Sequence, residues 1–235
     1  MAERFVPPAG TGAQAPEGDD REPDPQALLT ILTTEHFTLQ GARGSTISES
    51  SARAALYVGA VSSALIALGF IAQASQLGTA FDAFALVVLP TLYALGVFTF
   101  VRLVESSVEN LLYGQAINRI RGYYRGLAGR EARILLLSGH DDLRGVLASM
   151  GVFRPSRWGL FLTVAAMIAV LNSVVGGTAV AFLVGAVFDA PLGVAAAVGS
   201  MAAIPSAFAH FHWQRGYHSE AGDSAAPIFP SPPSG

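Results

Sequence analysis

Four long stretches of this chain, residues 54–81, 83–101, 158–188 and 190–214, contain no aspartate, glutamate, lysine or arginine. A helix crossing the hydrocarbon core of a bilayer needs about 20 apolar residues, so each stretch can cross once and none can cross twice. The core offers the backbone no hydrogen-bond partner, and the period-two alternation of a barrel strand is absent, so the stretches are expected to be helices. The fold class that follows is an all-α membrane protein. Its four transmembrane helices form two hairpins, with a helical cytoplasmic linker between them.

All fourteen basic residues are arginine, and they fall on one side of that arrangement. Arg4, Arg21, Arg43 and Arg53 precede the first stretch, nine arginines from Arg102 to Arg157 lie between the second and third, and Arg215 follows the fourth. The loops at 76–82 and 185–189 have none. The positive-inside rule then puts both termini and the linker in the cytoplasm, with Trp158 and Trp213 at the inner interface. The expected location is the cytoplasmic membrane, in a multi-pass topology. The domains read as a disordered tail at 1–26, a cytoplasmic helical segment at 27–53 and a first transmembrane hairpin at 54–104. An Arg-rich helical linker follows at 105–157, then a second hairpin at 158–214 and a disordered tail at 215–235. Both tails are rich in proline and polar residues and poor in apolar surface to offset ordering entropy.

Local signals refine these boundaries. Asp24-Pro25 reads as an N-cap followed by a proline in the first helical turn. Gly41 and Gly44 predict a break, and Thr46-Ile47-Ser48-Glu49 a capping box that opens the first span. Leu103, Val104, Val108, Leu111, Leu112, Ile117 and Ile120 keep a helical period, so the second span is expected to continue into the cytoplasm as a stalk whose apolar stripe needs a partner. Both hairpins contain Phe-Asp-Ala, at 81–83 and 188–190, and a proline on the return, Pro90 or Pro205. Duplication about an axis along the membrane normal would explain the pair, as would simple capping of each returning helix by its aspartate. Small residues recur every fourth position at Gly59 and Ser63, at Ser173, Gly177, Ala181 and Gly185, and at Ala195, Gly199 and Ala203. Such ridges let membrane helices approach closely; most are expected to pack within the molecule, with one face, on the third span, left for oligomerisation.

No enzyme is expected. The chain has no cysteine, which removes thiol nucleophiles, disulfides and Cys-ligated metals. No Gly-rich phosphate loop and no Ser-His-Asp pattern is present. His140-Asp141-Asp142 is better explained by an aspartate capping the next helix than by a metal. His210 and His212 cannot share one helical face. No cofactor, metal or nucleic acid is therefore expected. Three sets of residues are candidates for contacts. Asp82 and Asp189 lie at the outer ends of the hairpins, where a carboxylate ring could draw cations to a pore mouth. Arg119, Arg121, Arg125, Arg130 and Arg133, interleaved with Tyr123 and Tyr124, suit anionic lipid or a phosphorylated ligand. Gln73 and Asn172 are the most polar residues within the spans and suit interhelical hydrogen bonds.

The stretches Thr34-Glu35-His36-Phe37-Thr38-Leu39-Gln40, Ile117-Asn118-Arg119-Ile120-Arg121-Gly122-Tyr123-Tyr124 and Leu171-Asn172-Ser173-Val174-Val175-Gly176-Gly177 resemble an actinobacterial family of four-helix integral membrane proteins of uncharacterised activity, over residues 28–215. The resemblance implies topology. In plan, a cytoplasmic helix feeding an Arg-flanked hairpin is also similar to SLATT-type membrane effectors, which have two spans where this chain has four. The expected function is that of a non-enzymatic, oligomerising scaffold or signal-gated pore, with the bilayer, further copies of itself and a cytoplasmic protein as partners. The alternative is a small passive or secondary transporter.

Overall fold

The computed structural model describes residues 24–152, 163–222 and 226–232. Every regular element in these residues is helical. Helix α1 spans Pro25–Ser75, α2 Thr79–Ala128, α3 Leu143–Ser149, α4 Val164–Phe188 and α5 Leu192–Gly222, and a 3-10 turn over Gly129–Ile134 follows α2. Four of them, α1, α2, α4 and α5, are long and apolar enough to cross a membrane. The expected disorder of residues 1–23, and Trp158 with the start of the third span, lie outside the described residues.

Helix α1 starts as its sequence predicts: Asp24 accepts the Gln26 N–H at 3.0 Å, and Pro25 needs no N–H where none could be bonded. The predicted break at Gly41 and Gly44 is absent. Each glycine costs about 1 kcal/mol of helix propensity, an amount that packing along a neighbouring helix overrides. That neighbour is α2, which runs antiparallel to α1. Thr33 meets Tyr124 at 3.3 Å, Arg43 donates to Asn110 at 2.8 Å, and Arg102 lies 3.9 Å from Glu49. The Thr46–Glu49 capping box is likewise overridden. It sits mid-helix, where Glu49 pairs with Arg53 at 2.6 Å.

Helix α2 continues beyond its apolar stretch, as the period of Leu103 to Ile120 predicts, and at 50 residues it is about 75 Å long. Its stripe is covered by the first half of α1 and by α3, whose Val146 sits where a side chain on Gly114 would have to go. Helix α3 starts at Asp142, which accepts the Gly145 N–H at 2.8 Å, as the sequence predicts. Within the linker expected to be helical, the 3-10 turn ends at Ile134 and α-helix resumes only at Leu143.

The two turns are not equivalent. The first is Gln76-Leu77-Gly78, with Gln76 and Leu77 left-handed at φ 50° and 60°, and Phe81-Asp82-Ala83 lies inside α2. The second is at Asp189 itself, left-handed at φ 49°. Gly78 is the N-cap of α2, and Asp189 is the C-cap of α4. Neither aspartate caps a returning helix, and the shared tripeptide occupies different structural positions in the two halves.

Helices α4 and α5 pack closely. A Cβ on Gly177 would overlap the Gly199 carbonyl and Ala203, and one on Gly199 would overlap Ala181. The small residues Gly177 and Ala181 of the third span are thus used in packing inside the molecule, the role expected for most of these ridges. Gly59, by contrast, has open space around it. The second tail also departs from expectation. Residues 215–222 extend α5, and residues 226–232 lie against Asp141 and Asp142. Phe229, half-buried with its ring against Gly122, supplies the packing surface that the tail's overall composition conceals.

Candidate functional site

Two buried polar clusters organise the molecule. The first joins all four long helices. Asn172 of α4 is fully buried, and the Tyr57 hydroxyl of α1 donates to its Oδ1 at 2.9 Å. On α5, the His210 Nδ1–H donates to the Ser206 carbonyl at 2.7 Å, and Nε2 faces Asn172 Nδ2 at 3.5 Å. Turned over, the Asn172 carboxamide donates to the Tyr57 hydroxyl at 2.9 Å and the Tyr93 carbonyl at 3.1 Å, and accepts the Val97 N–H at 3.3 Å. Ser206 meets the Tyr93 hydroxyl at 3.3 Å and Ser173 at 3.2 Å, and the His210 ring meets Phe100 edge-on at 4.6 Å. Glycine is required at 96, since a Cβ there would overlap the Asn172 carboxamide and the Tyr57 hydroxyl. The cluster contains no aspartate, glutamate, lysine or arginine. Asn172 therefore makes the interhelical bonds its polarity suggests. Gln73 stands apart, on the exposed face of α1.

The second cluster lies on the extension of α2. Asp141 is buried, and its Oδ2 accepts the Arg119 Nε–H at 2.7 Å and the Ile228 N–H at 3.0 Å. Its Oδ1 accepts the Phe229 N–H at 2.7 Å. Burial by itself would raise the Asp141 pKa; the two backbone donors and the guanidinium outweigh it and hold the carboxyl below its usual range. Asp142 is also held low, its burial outweighed by the hydroxyl and N–H of Ser231 and the N–H of Gly145. Asn118, buried beside them, donates to the His140 carbonyl at 2.8 Å and accepts from Arg121 at 2.8 Å.

The five arginines singled out in the linker do not form one patch. Arg119 is committed to Asp141 and the Ala226 carbonyl. Arg121 and Arg125, one turn apart, hold the carbonyls of Ser138 and Leu135, at 3.2 and 2.6 Å. Burial, with Arg43 and Arg125 nearby, lowers the Arg121 pKa, and burial with Arg121 nearby lowers that of His36. Arg130 is exposed, and Arg133 is exposed beside Glu131 at 3.7 Å. Asp189 is exposed at its turn and Asp82 is half-buried in the first turn of α2.

The sequence points to Asn172 but not to its partners. Tyr57, Tyr93, Ser206 and His210 are scattered over three other helices, and only packing brings them together. Asp141 carries one signal that could be read: a single aspartate suffices to cap α3, so a second beside it implies another duty. Comparison with protein-family models, curated proteins and solved structures returns no match.

Proposed function

We propose that the chain is a non-enzymatic, multi-pass protein of the cytoplasmic membrane that oligomerises and couples a cytoplasmic stalk to its spans, with a signal-gated pore or effector as its sharper form. The observation that carries this reading is that α1 and α2 run unbroken from the apolar stretches into the stalk. At 51 and 50 residues they are about 75 Å long, more than twice the roughly 30 Å hydrocarbon core. A displacement at the far end is transmitted by rigid helix instead of a hinge.

Self-association is supported by the outer face of α1. Phe37, Gly41, Gly44, Ser48, Ala52, Leu56, Gly59, Ser63, Ile66 and Phe70 recur at helical spacing, and all are exposed. Leu56, Ile66 and Phe70 suit lipid. Phe37, at 71% exposure, lies about 25 Å along the helix before Ala54, where lipid does not reach. Apolar surface there calls for a protein partner, and small residues on the same face permit close approach. By the same measure Arg121 lies about 30 Å beyond Val101, outside the headgroup layer. That favours a soluble anion over lipid as any ligand of the stalk arginines.

The test is sizing in nanodiscs together with ion and dye flux from sealed liposomes. Assemblies larger than a monomer, reduced by Phe37→Glu, are expected. Monomers at every concentration would sink the oligomeric reading, and tight liposomes under forced clustering would sink the pore.

A further inference from the structure

We propose that the turn carrying Asp141 and Asp142 is a peptide-recognition site for a short, extended, proline-interrupted segment with an aromatic anchor, and that the chain's own residues 226–232 are its resident ligand.

The contacts are those of a ligand in a site more than those of a chain end folded back. Read along the segment, N–H groups are used at Ile228, Phe229 and Ser231, donating to Asp141 Oδ2, Asp141 Oδ1 and Asp142 Oδ2 at 3.0, 2.7 and 3.0 Å. Prolines stand at 227, 230 and 232, the positions from which no N–H is asked. The pattern of donors is thus matched to the pattern of prolines, and a shift by one residue would aim a proline ring at a buried carboxylate. The carbonyls are read as well. Arg119 donates to Ala226 at 3.0 Å, the Asp141 N–H to Phe229 at 3.1 Å, and Arg144 to Pro232 at 3.1 Å. One side chain is read by hydrogen bonding, the Ser231 hydroxyl, which donates to Asp142 Oδ1 at 2.7 Å. One is read by shape: the Phe229 ring lies where a Cβ on Gly122 would have to go. Two ionised carboxylates facing three backbone N–H groups are charge-assisted acceptors, stronger than carbonyls in the same place. The prolines hold the segment near an extended conformation before it binds, which lowers the ordering cost.

The segment is also placed to exchange. Ile228 is 61% exposed, and Pro230 and Pro232 are exposed, so residues 226–232 lie on the stalk and are not threaded through it. Ile228 and Phe229 form one wall of an apolar cavity of about 450 Å³, otherwise lined by Leu28, Leu32, Leu39 and Tyr123 among others. Release of the segment would open both the carboxylates and that groove between α1 and α2.

The test uses the full-length chain and a fluorescent peptide, Ala-Pro-Ile-Phe-Pro-Ser-Pro. In the wild type the tethered segment competes at a high effective concentration, so the free peptide should bind weakly. Ser231→Pro removes both Ser231 bonds from the tethered copy, and the peptide should then bind at least about tenfold more tightly. Phe229→Ala is the second tail-disabled form. Adding Asp142→Asn to either, or N-methylating the peptide's phenylalanine, should abolish the gain. Equal binding to wild-type and both tail-disabled chains, or a gain indifferent to Asp142→Asn and to N-methylation, would overturn the proposal. So would absence of binding to both variants once amide exchange shows their tails released.

Discussion

The cluster around Asn172 and the cluster around Asp141 solve the same problem, polar groups buried among helices, by opposite means. In the first, tyrosine, asparagine, serine and histidine bond to one another and to carbonyls, with no carboxylate or guanidinium among them. In the second, a carboxylate is buried against a guanidinium and backbone N–H groups. The physical difference is access to water. An ionised group deep between apolar stretches would bear a desolvation penalty that no partner fully offsets, whereas Arg119 keeps 37% of its side chain exposed while Asp141 is enclosed. Hydrogen bonds among tyrosine, asparagine, serine and histidine therefore fasten the apolar stretches, and a carboxylate–guanidinium pair fastens the extension of α2 beyond them.

Three perturbations would break or sharpen that contrast. The largest effect is expected from Gly96→Leu, which forces a side chain into the Tyr57–Asn172 contact and should cost about 3 kcal/mol or more through overpacking and lost bonds, read by unfolding in detergent. A stable Gly96→Leu protein would mean that the four helices are not held at this crossing.

Asp141→Asn is next. It leaves the Arg119 charge unpaired and should cost about 2 kcal/mol, less than a fully buried pair would because Arg119 is partly solvated. The loss should appear as faster amide exchange at 228, 229 and 231 with the Asn172 region unchanged. Because both carboxyl pKa values are depressed on folding, their contribution is complete above the ordinary value of 3.8 and is lost as the pH falls through the lower folded values. Acidification should thus release the tail of the wild type before it separates the long helices. Simultaneous loss would show that the two clusters are one cooperative unit.

The smallest effect is expected from Asp189→Gly. A left-handed residue at a helix C-terminus is relieved by glycine, so the change should be neutral or stabilising by less than about 1 kcal/mol. Altered cation selectivity in liposomes carrying Asp189→Asn or Asp82→Asn would instead make these carboxylates part of a pore mouth.

Much of the fold is legible in the chain because its signals are local or cumulative. Four uncharged stretches, the Asp24-Pro25 start, the Asp142 cap and the helical period from Leu103 to Ile120 each act over a few turns of helix. The misreadings at Gly41-Gly44 and Thr46–Glu49 share one cause. These are weak preferences of about 1 kcal/mol or less, and the side-by-side packing of α1 and α2 outweighs them. The first turn sits at Gln76-Leu77-Gly78, within the expected loop but short of Phe81-Asp82-Ala83, because a tripeptide repeat says nothing about which residues must adopt left-handed backbone.

The sequence by itself determined the helical class and the four stretches apolar enough to cross a membrane, because hydropathy acts residue by residue. Only the tertiary structure decided which groups share a bond. Tyr57 and Asn172 are 115 residues apart, and Asp141 and Phe229 are 88 apart. No periodicity links such pairs. They meet because α1 lies antiparallel to α2, α4 packs on both α2 and α5, and the end of the chain returns to the stalk. A hydrogen bond depends on distances of tenths of an ångström, which packing sets and composition does not.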